Sequence, residues 1–308
     1  MQGYKPTGQD ATQLLGAEYN ELLFQANRIR AHFKGNKVHL CSIINAKSGL
    51  CSQDCRFCSQ SSHYATQSAE YPMVAKEELL RAFQDASGRG VKCFSVVTSG
   101  RAVGKDEIDA ICDFMDTADK SRVRLSASLG ELDLESLKAL KKHGMKRFHH
   151  NIETAESFFP SICTTHSYKD RVATIKRAKE AGLEVCCGGI FGLGESPEQR
   201  IEFALTLREL DVDSVPMNFL NPIAGTPFEH QPRLSPREIL AAIALFRFML
   251  PEKSISVCGG REVNLRDMQS WIFYAGANGM MAGGYLTTQG RPAEQDLQMI
   301  KDLGYECE

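Results

Sequence analysis

Three cysteines stand close together in the stretch CSQDCRFCSQ: Cys51, Cys55 and Cys58, in a C-x3-C-x2-C spacing with Gly49 just ahead of them. Iron–sulfur clusters are held by Cys thiolates, and three thiols this close cannot all pair with one another as disulfides. The spacing suits a cubane with three protein ligands. Its remaining iron then stays open to a small chelator carrying an amine and a carboxylate. The competing uses are a zinc site or reactive surface thiols, but zinc sites usually show paired C-x2-C elements or added His ligands at other spacings. The chain carries eleven cysteines in 308 residues, an odd count in a chain too long for a small disulfide scaffold. Metal ligation, catalysis and simple burial as small hydrophobes are therefore the uses to weigh.

These cysteines must be positioned by a fold, and the chain alternates short β-branched strands with amphipathic helices. Strands are expected at 38–44, 93–98, 123–128, 147–152, 184–191, 214–218, 254–258 and 279–282. Helices are expected at 76–87, 105–118, 134–142, 168–181, 197–209 and 236–249. Eight strands alternating with helices imply parallel pairing and an α/β fold, a (βα)8 TIM-type barrel. A doubly wound open sheet is the rival, but eight units favour closure. The reading is one domain over 1–308, with a core of about 36–284 and helical extensions at both ends. In such barrels the chemistry sits at the C-terminal strand ends and the loops after them, and the triad follows the first strand. The net charge of −2 with dispersed Lys and Arg gives no nucleic-acid footprint. No apolar run is long enough to span a membrane. The N-terminus lacks the order of a signal peptide, so a cytoplasmic protein is expected.

With the triad after the first barrel strand and Phe57 just before its last Cys, the chain resembles the radical S-adenosylmethionine (radical SAM) enzymes. The stretches KSGLCSQDCRFCSQSSHY, HHNIET, CCGGIFGLGES, SVPMNFLNPIAGTP, GGRE and YAGANGMMAGGYLTT are similar to the biotin synthase family within that class, over nearly the whole chain. The resemblance implies a [4Fe–4S] cluster on Cys51, Cys55 and Cys58 and S-adenosyl-L-methionine as its partner. It implies a 5′-deoxyadenosyl radical that removes hydrogens from dethiobiotin, and sulfur supplied by a second, sacrificial Fe–S cluster. A flavodoxin- or ferredoxin-type electron donor and a homodimer are implied likewise. A closed barrel would serve as a dry cage for such chemistry, with the cofactors doing the radical steps.

By the same resemblance, Phe57 packs by the adenine. Asn151 and Glu153 contact the S-adenosylmethionine ribose, with Glu153 where an Asp is common. Placed two apart on the fourth strand, their side chains are expected on one face. Arg171 corresponds to the arginine that pairs with the methionine carboxylate, a role that suits a planar fork. Without the resemblance it would read as an exposed helix Arg. Gly188 and Gly189 would let the backbone come close to a ligand, although nothing around them forms a phosphate loop. Asn218, and Asn151 again, correspond to residues that hydrogen-bond the cyclic urea of dethiobiotin; an amide offers both donor and acceptor. A buried structural Asn is the bland alternative.

The auxiliary site is where the chain departs from the familiar pattern of a [2Fe–2S] cluster on three Cys and an Arg. Cys93 and Cys186 fit two of the cysteine positions and Arg261 fits the arginine, but Ser126 stands at the third cysteine position. Cys41 and Cys258 are gained on the first and seventh predicted strands. Cys41, Cys93, Cys186 and Cys258 could thus converge in the lumen on an all-Cys auxiliary [4Fe–4S]-type cluster, with an extra sulfide as sulfur donor. A [2Fe–2S] centre ranks behind it. Alternation along a strand lets only one of Cys186 and Cys187 face the lumen; Cys187 and Arg261 rank behind the other four. The plain alternative is that Cys41 and Cys258 are buried small side chains. Cys112, Cys163, Cys307 and His166 receive no ligand role. The rival functions are another radical SAM enzyme, resembling hydrogenase maturases or methylornithine synthase, and a non-catalytic Fe–S scaffold.

Overall fold

A computed structural model describes residues 6–308; residues 1–5 of the expected N-terminal extension lie outside the described residues. The chain opens with α1 (Gly8–Leu15) and α2 (Tyr19–Lys34), then enters β1 (Lys37–Lys47). Around the barrel follow β2 (Cys93–Thr98), β3 (Arg124–Ser128), β4 (Arg147–His149), β5 (Glu184–Cys186), β6 (Gly189–Phe191), β7 (Ser214–Phe219), β8 (Ser254–Val257) and β9 (Gly279–Met281). Every neighbouring pair is parallel, and β9 pairs back onto β1, with His39, Leu40 and Cys41 opposite Gly279, Met280 and Met281. The sheet therefore closes.

The covering helices are α3 (Lys76–Gly88), α4 (Lys105–Thr117), α5 (Leu134–Lys142), α6 (Tyr168–Glu180), α7 (Pro197–Glu209) and α8 (Pro236–Met249). Their starts are local in origin. Ser167 with Asp170, Ser196 with Gln199 and Ser235 with Glu238 each form a reciprocal capping box, and Pro197 and Pro236 occupy first-turn positions that need no N–H donor. Short helices α9 (Arg261–Leu265) and α10 (Trp271–Tyr274) follow β8, and α11 (Ala293–Asp302) leads to β10 (Glu306–Cys307).

Two expectations are corrected. The strand expected at 184–191 is interrupted, giving β5 and β6 on either side of Cys187 and Gly188. Pro216, opposite the interruption on β7, has no N–H to donate to a ladder, and its carbonyl fills the space a Cβ on Gly188 would need. The C-terminal extension is also not purely helical: β10 adds a parallel partner outside the barrel, with Cys307 opposite Val38.

Candidate active site in the barrel lumen

A cavity of about 320 Å3 runs along the barrel axis to the C-terminal strand ends. At its mouth lies the loop after β1. Gln60 Oε1 accepts from Ser48 Oγ at 3.0 Å and Gly49 N at 3.3 Å, while Cys51 N donates to Gln60 O at 3.0 Å. The loop is thereby folded back on itself around the three cysteines. Cys55 is buried, and Cys58 and Phe57 line the cavity. Burial pushes the Cys58 thiol up to about 11, with the Cys51 and Glu153 charges adding to the effect. Such a thiol ionises readily only when a metal takes the thiolate.

Asp54, between the first two of these cysteines, ties the loop to the segment before α6. It accepts from Thr164 N at 2.9 Å, Thr165 N at 3.1 Å and Thr165 Oγ1 at 3.0 Å, and from the Thr164 hydroxyl. Partial burial works against the charge, but the hydrogen bonds from Thr164 and Thr165 hold its carboxyl well below the usual range. The clamp brings Cys163, given no ligand role above, to 3.8 Å from Cys55, sulfur to sulfur.

The strand expected at 147–152 ends at His149, so Asn151 and Glu153 lie in the turn beyond it, where Glu153 takes a left-handed φ of 68°. Strand alternation therefore does not set their relation; the turn does, bringing Asn151 Nδ2 to 3.4 Å from Glu153 Oε2. Arg171, in the first turn of α6, is not an exposed helix residue. It donates to Asn151 O at 2.8 Å and to His166 Nε2 at 2.9 Å, and pairs with Glu153 Oε1 at 3.5 Å. Burial raises the Glu153 carboxyl, and Arg171 offsets it. Asn151 lines the cavity.

The glycines of CGGIFG have a different reason from ligand approach, and neither lines the cavity. A Cβ on Gly188 would stand 2.0 Å from Pro216 O, and one on Gly189 would stand 2.0 Å from Glu153 O. Bare backbone here lets β6 pack between its neighbours and orients the asparagines: Gly188 N donates to Asn151 Oδ1 at 3.1 Å, and Asn218 Nδ2 donates to Gly189 O at 3.1 Å. Gly259 N holds Asn218 Oδ1 at 2.8 Å. Each side-chain amide keeps hydrogen-bonding capacity facing the cavity.

Deeper in the lumen, Cys41 and Cys93 are register partners on β1 and β2, and Cys41, Cys186 and Cys258 line the cavity. Cys187 turns the other way, into the hydrophobic layer under the helices. Ser126 is fully buried beside Cys93, its Oγ 3.5 Å from that sulfur and donating to Phe94 O at 3.1 Å. Arg261 does not point into the lumen. Its guanidinium is fully buried against Asp296, at 2.8 and 3.1 Å, and also donates to Glu262 and Gln269. The reason is positional: Arg261 begins α9 beyond the strand end and locks α11 against the barrel.

Three basic side chains surround these thiols and carry no role in the sequence reading. His39 Nε2 lies 3.1 Å from Cys41 Sγ, Arg147 Nη1 lies 3.3 Å from His39 Nε2, and Glu184 pins the same guanidinium at 2.8 Å. Burial lowers the His149 imidazole, but the Cys186 and Cys93 sulfurs reverse this and push it up to about 9. Their spacing was the available signal: His39 is two residues from Cys41 and Arg147 two from His149, hence on the lumen face. Ser95 Oγ, His149 Nε2 and Ser256 Oγ are buried along this lumen without a partner. Thiols from four strands, basic groups and orphaned polar atoms in one place fit an anionic Fe–S group.

Barrel, cysteine loop and second thiol set together define a radical SAM enzyme. The chain matches the Radical SAM superfamily over residues 47–207 and the Biotin and Thiamin Synthesis associated domain over residues 216–306. It is 54% identical over 300 residues to a biotin synthase of Geobacter sulfurreducens, spanning 96% of this chain and 91% of that one. It is 50% identical to a biotin synthase of Endomicrobium trichonymphae, spanning 100% and 96% of the two chains. A crystal structure of methylornithine synthase superposes with a TM-score of 0.83 at 20% identity, over 99% of this chain and 95% of that one, a likeness of fold. The chain belongs to the biotin synthase family, whose members use a [4Fe–4S] cluster, S-adenosylmethionine and an auxiliary Fe–S cluster.

Proposed function

We propose that this enzyme inserts sulfur into dethiobiotin to form biotin, using one Fe–S centre on Cys51, Cys55 and Cys58 and a second, all-cysteine centre of the [4Fe–4S] type on Cys41, Cys93, Cys186 and Cys258. The observation that carries the reading is that Cys41 of β1, Cys186 of β5 and Cys258 just past β8 line one lumen, with Cys93 of β2 the register partner of Cys41, below a mouth that holds the other three. When bound, the two centres and S-adenosylmethionine supply one-electron cleavage of the cofactor, hydrogen abstraction and the inserted sulfur.

The chain's own residues bind and orient. Arg171 and Glu153 pair with each other at 3.5 Å; an arriving S-adenosylmethionine offers its carboxylate to the first and a ribose hydroxyl to the second. Phe57 offers an aromatic face at the cavity mouth for the adenine. Asn151 and Asn218, anchored by Gly188, Gly189 and Gly259, present amides to a cyclic urea. Val97, Ile190 and Leu286 wall the cavity and keep water from the reacting carbons. Arg147 and His149 balance the negative charge of the deeper centre. Family membership supports a homodimer in the cytoplasm, fed by a flavodoxin- or ferredoxin-type donor. Among the described residues no helix is long and apolar enough to cross a membrane. The continuous closed sheet supports one structural domain across both matched regions.

The test is anaerobic reconstitution followed by a single turnover with reductant, S-adenosylmethionine and dethiobiotin, reading biotin and 5′-deoxyadenosine by mass spectrometry. Both products are expected. 5′-Deoxyadenosine without biotin would assign another radical reaction to the barrel, and neither product would mean a scaffold.

A further inference from the structure

Cys163 is 4% exposed and sits in the segment between Phe159–Ser161 and α6, pressed onto the cysteine loop by the Asp54 clamp. Its Sγ lies 3.8 Å from Cys55 Sγ. We propose that the Cys163 thiol donates a hydrogen bond to the Cys55 sulfur and thereby makes the cluster on that sulfur easier to reduce. The inference rests on Cys55 being a cluster ligand.

The direction of this hydrogen bond follows from its neighbours. A guanidinium only donates, so the 2.9 Å contact from Arg171 Nε makes His166 Nε2 an acceptor and puts the ring proton on Nδ1. Nδ1–H then points at Gln53 Oε1, 2.8 Å away, and at Cys163 Sγ, 3.2 Å away. On that side the Cys163 sulfur accepts, and its own proton must point elsewhere. Asp54 Oδ1 is 3.2 Å from it but already receives Thr164 N, Thr165 N and Thr165 Oγ1. Thr165 Oγ1, 3.6 Å away, already donates to Asp54 Oδ1 and accepts from Asp54 N, so the Cys55 sulfur, which carries no proton of its own as a cluster ligand, is the acceptor left open. Cys163 is thus a positioning and tuning residue, oriented through His166 and Arg171.

The same tautomer weighs against a different use of this trio. Cys55, Cys163 and His166 offer donor atoms within 4.8 Å of one another, close enough to hold a single metal ion. With Nδ1 protonated and Nε2 engaged by Arg171, His166 has no lone pair free for a metal. A donated hydrogen bond instead withdraws charge from a ligand sulfur, and hydrogen bonds to the sulfurs are among the determinants of a cluster's potential.

The experiment is a potentiometric EPR titration of the reconstituted enzyme and of Cys163→Ala and Cys163→Ser. It follows the signal that changes shape when S-adenosylmethionine is added, with iron measured in parallel. Cys163→Ala should keep its iron and titrate at a more negative potential, and Cys163→Ser, whose hydroxyl can still donate, should fall between. An unshifted midpoint in Cys163→Ala with full iron would overturn the proposal. Cys55→Ala serves as the control for its premise: that signal should vanish. If it persisted there while vanishing in Cys163→Ala, the ligand assignment itself would be wrong.

Discussion

Cys41 on β1 and Cys93 on β2 are direct register partners, so two thiols far apart in the chain meet on adjacent parallel strands inside the lumen. Cys186 reaches the same lumen from β5, and Cys258 from the residue just past β8. The radical-generating and sulfur-supplying cysteines are therefore separable by mutation. Cys55→Ala should abolish both 5′-deoxyadenosine and biotin. Cys41→Ala and Cys258→Ala should retain cofactor cleavage within a few-fold while biotin falls below detection. Quantifying both products in each variant checks this, and equal loss of both in Cys258→Ala would contradict it.

The Asp54 clamp implies that the cysteine loop depends on a residue that is not itself a ligand. Asp54→Ala strips acceptors from Thr164 and Thr165 and should destabilise the loop by about 2 kcal/mol, the scale for hydrogen bonds to a charged group. Iron should then leave the reconstituted protein faster under a chelator, with the loss confined to the centre that responds to S-adenosylmethionine. A release rate equal to the parent's would show that the clamp is dispensable.

Gly189→Ala places a Cβ 2.0 Å from Glu153 O, and Gly188→Ala places one 2.0 Å from Pro216 O. Neither obstacle is a flexible side chain. Each variant should lose about 3 kcal/mol or more, beyond ordinary overpacking because backbone must move. Thermal unfolding of the cluster-free protein should show the drop, and an unchanged Tm would mean that β6 can shift at little cost.

Arg261 and Asp296 form a fully buried ion pair that fastens α11 to the barrel. Removing one partner leaves a buried charge, so Arg261→Ala or Asp296→Ala should each cost about 3–5 kcal/mol, whereas Arg261→Met with Asp296→Leu should recover much of it. Denaturant unfolding of the four proteins measures each loss and the recovery. The auxiliary iron content of Arg261→Met/Asp296→Leu should match the parent's, because the arginine faces away from the lumen; loss of that iron alone would restore Arg261 as a ligand.

The barrel was legible because strand and helix periodicities alternate regularly, and most strand positions were found within a few residues. The interruption between β5 and β6 was not, because it depends on Pro216 in the neighbouring strand. The lumen thiols were legible from the motif resemblance and from two-residue alternation, which separates Cys186 from Cys187. The same alternation could have pointed to His39 and to Arg147 with His149. Cys163 and His166 were missed for a different reason. Their relation to Cys55 runs through Asp54 and Arg171, contacts between segments with no shared periodicity. Arg261, ranked behind the four cysteines, pairs with Asp296 instead, because a motif match fixes a residue's place along the chain, not the direction its side chain takes beyond a strand end.

The central claim is that one lumen holds two cubane-type centres. Iron and sulfide quantitation with Mössbauer spectroscopy on the anaerobically reconstituted enzyme, beside Cys41→Ala/Cys258→Ala, tests it most directly. The account predicts about eight Fe per chain in the parent and about four in the double variant, with all iron in [4Fe–4S]-type environments. About four Fe in both proteins would contradict it and leave Cys41 and Cys258 as buried thiols without metal.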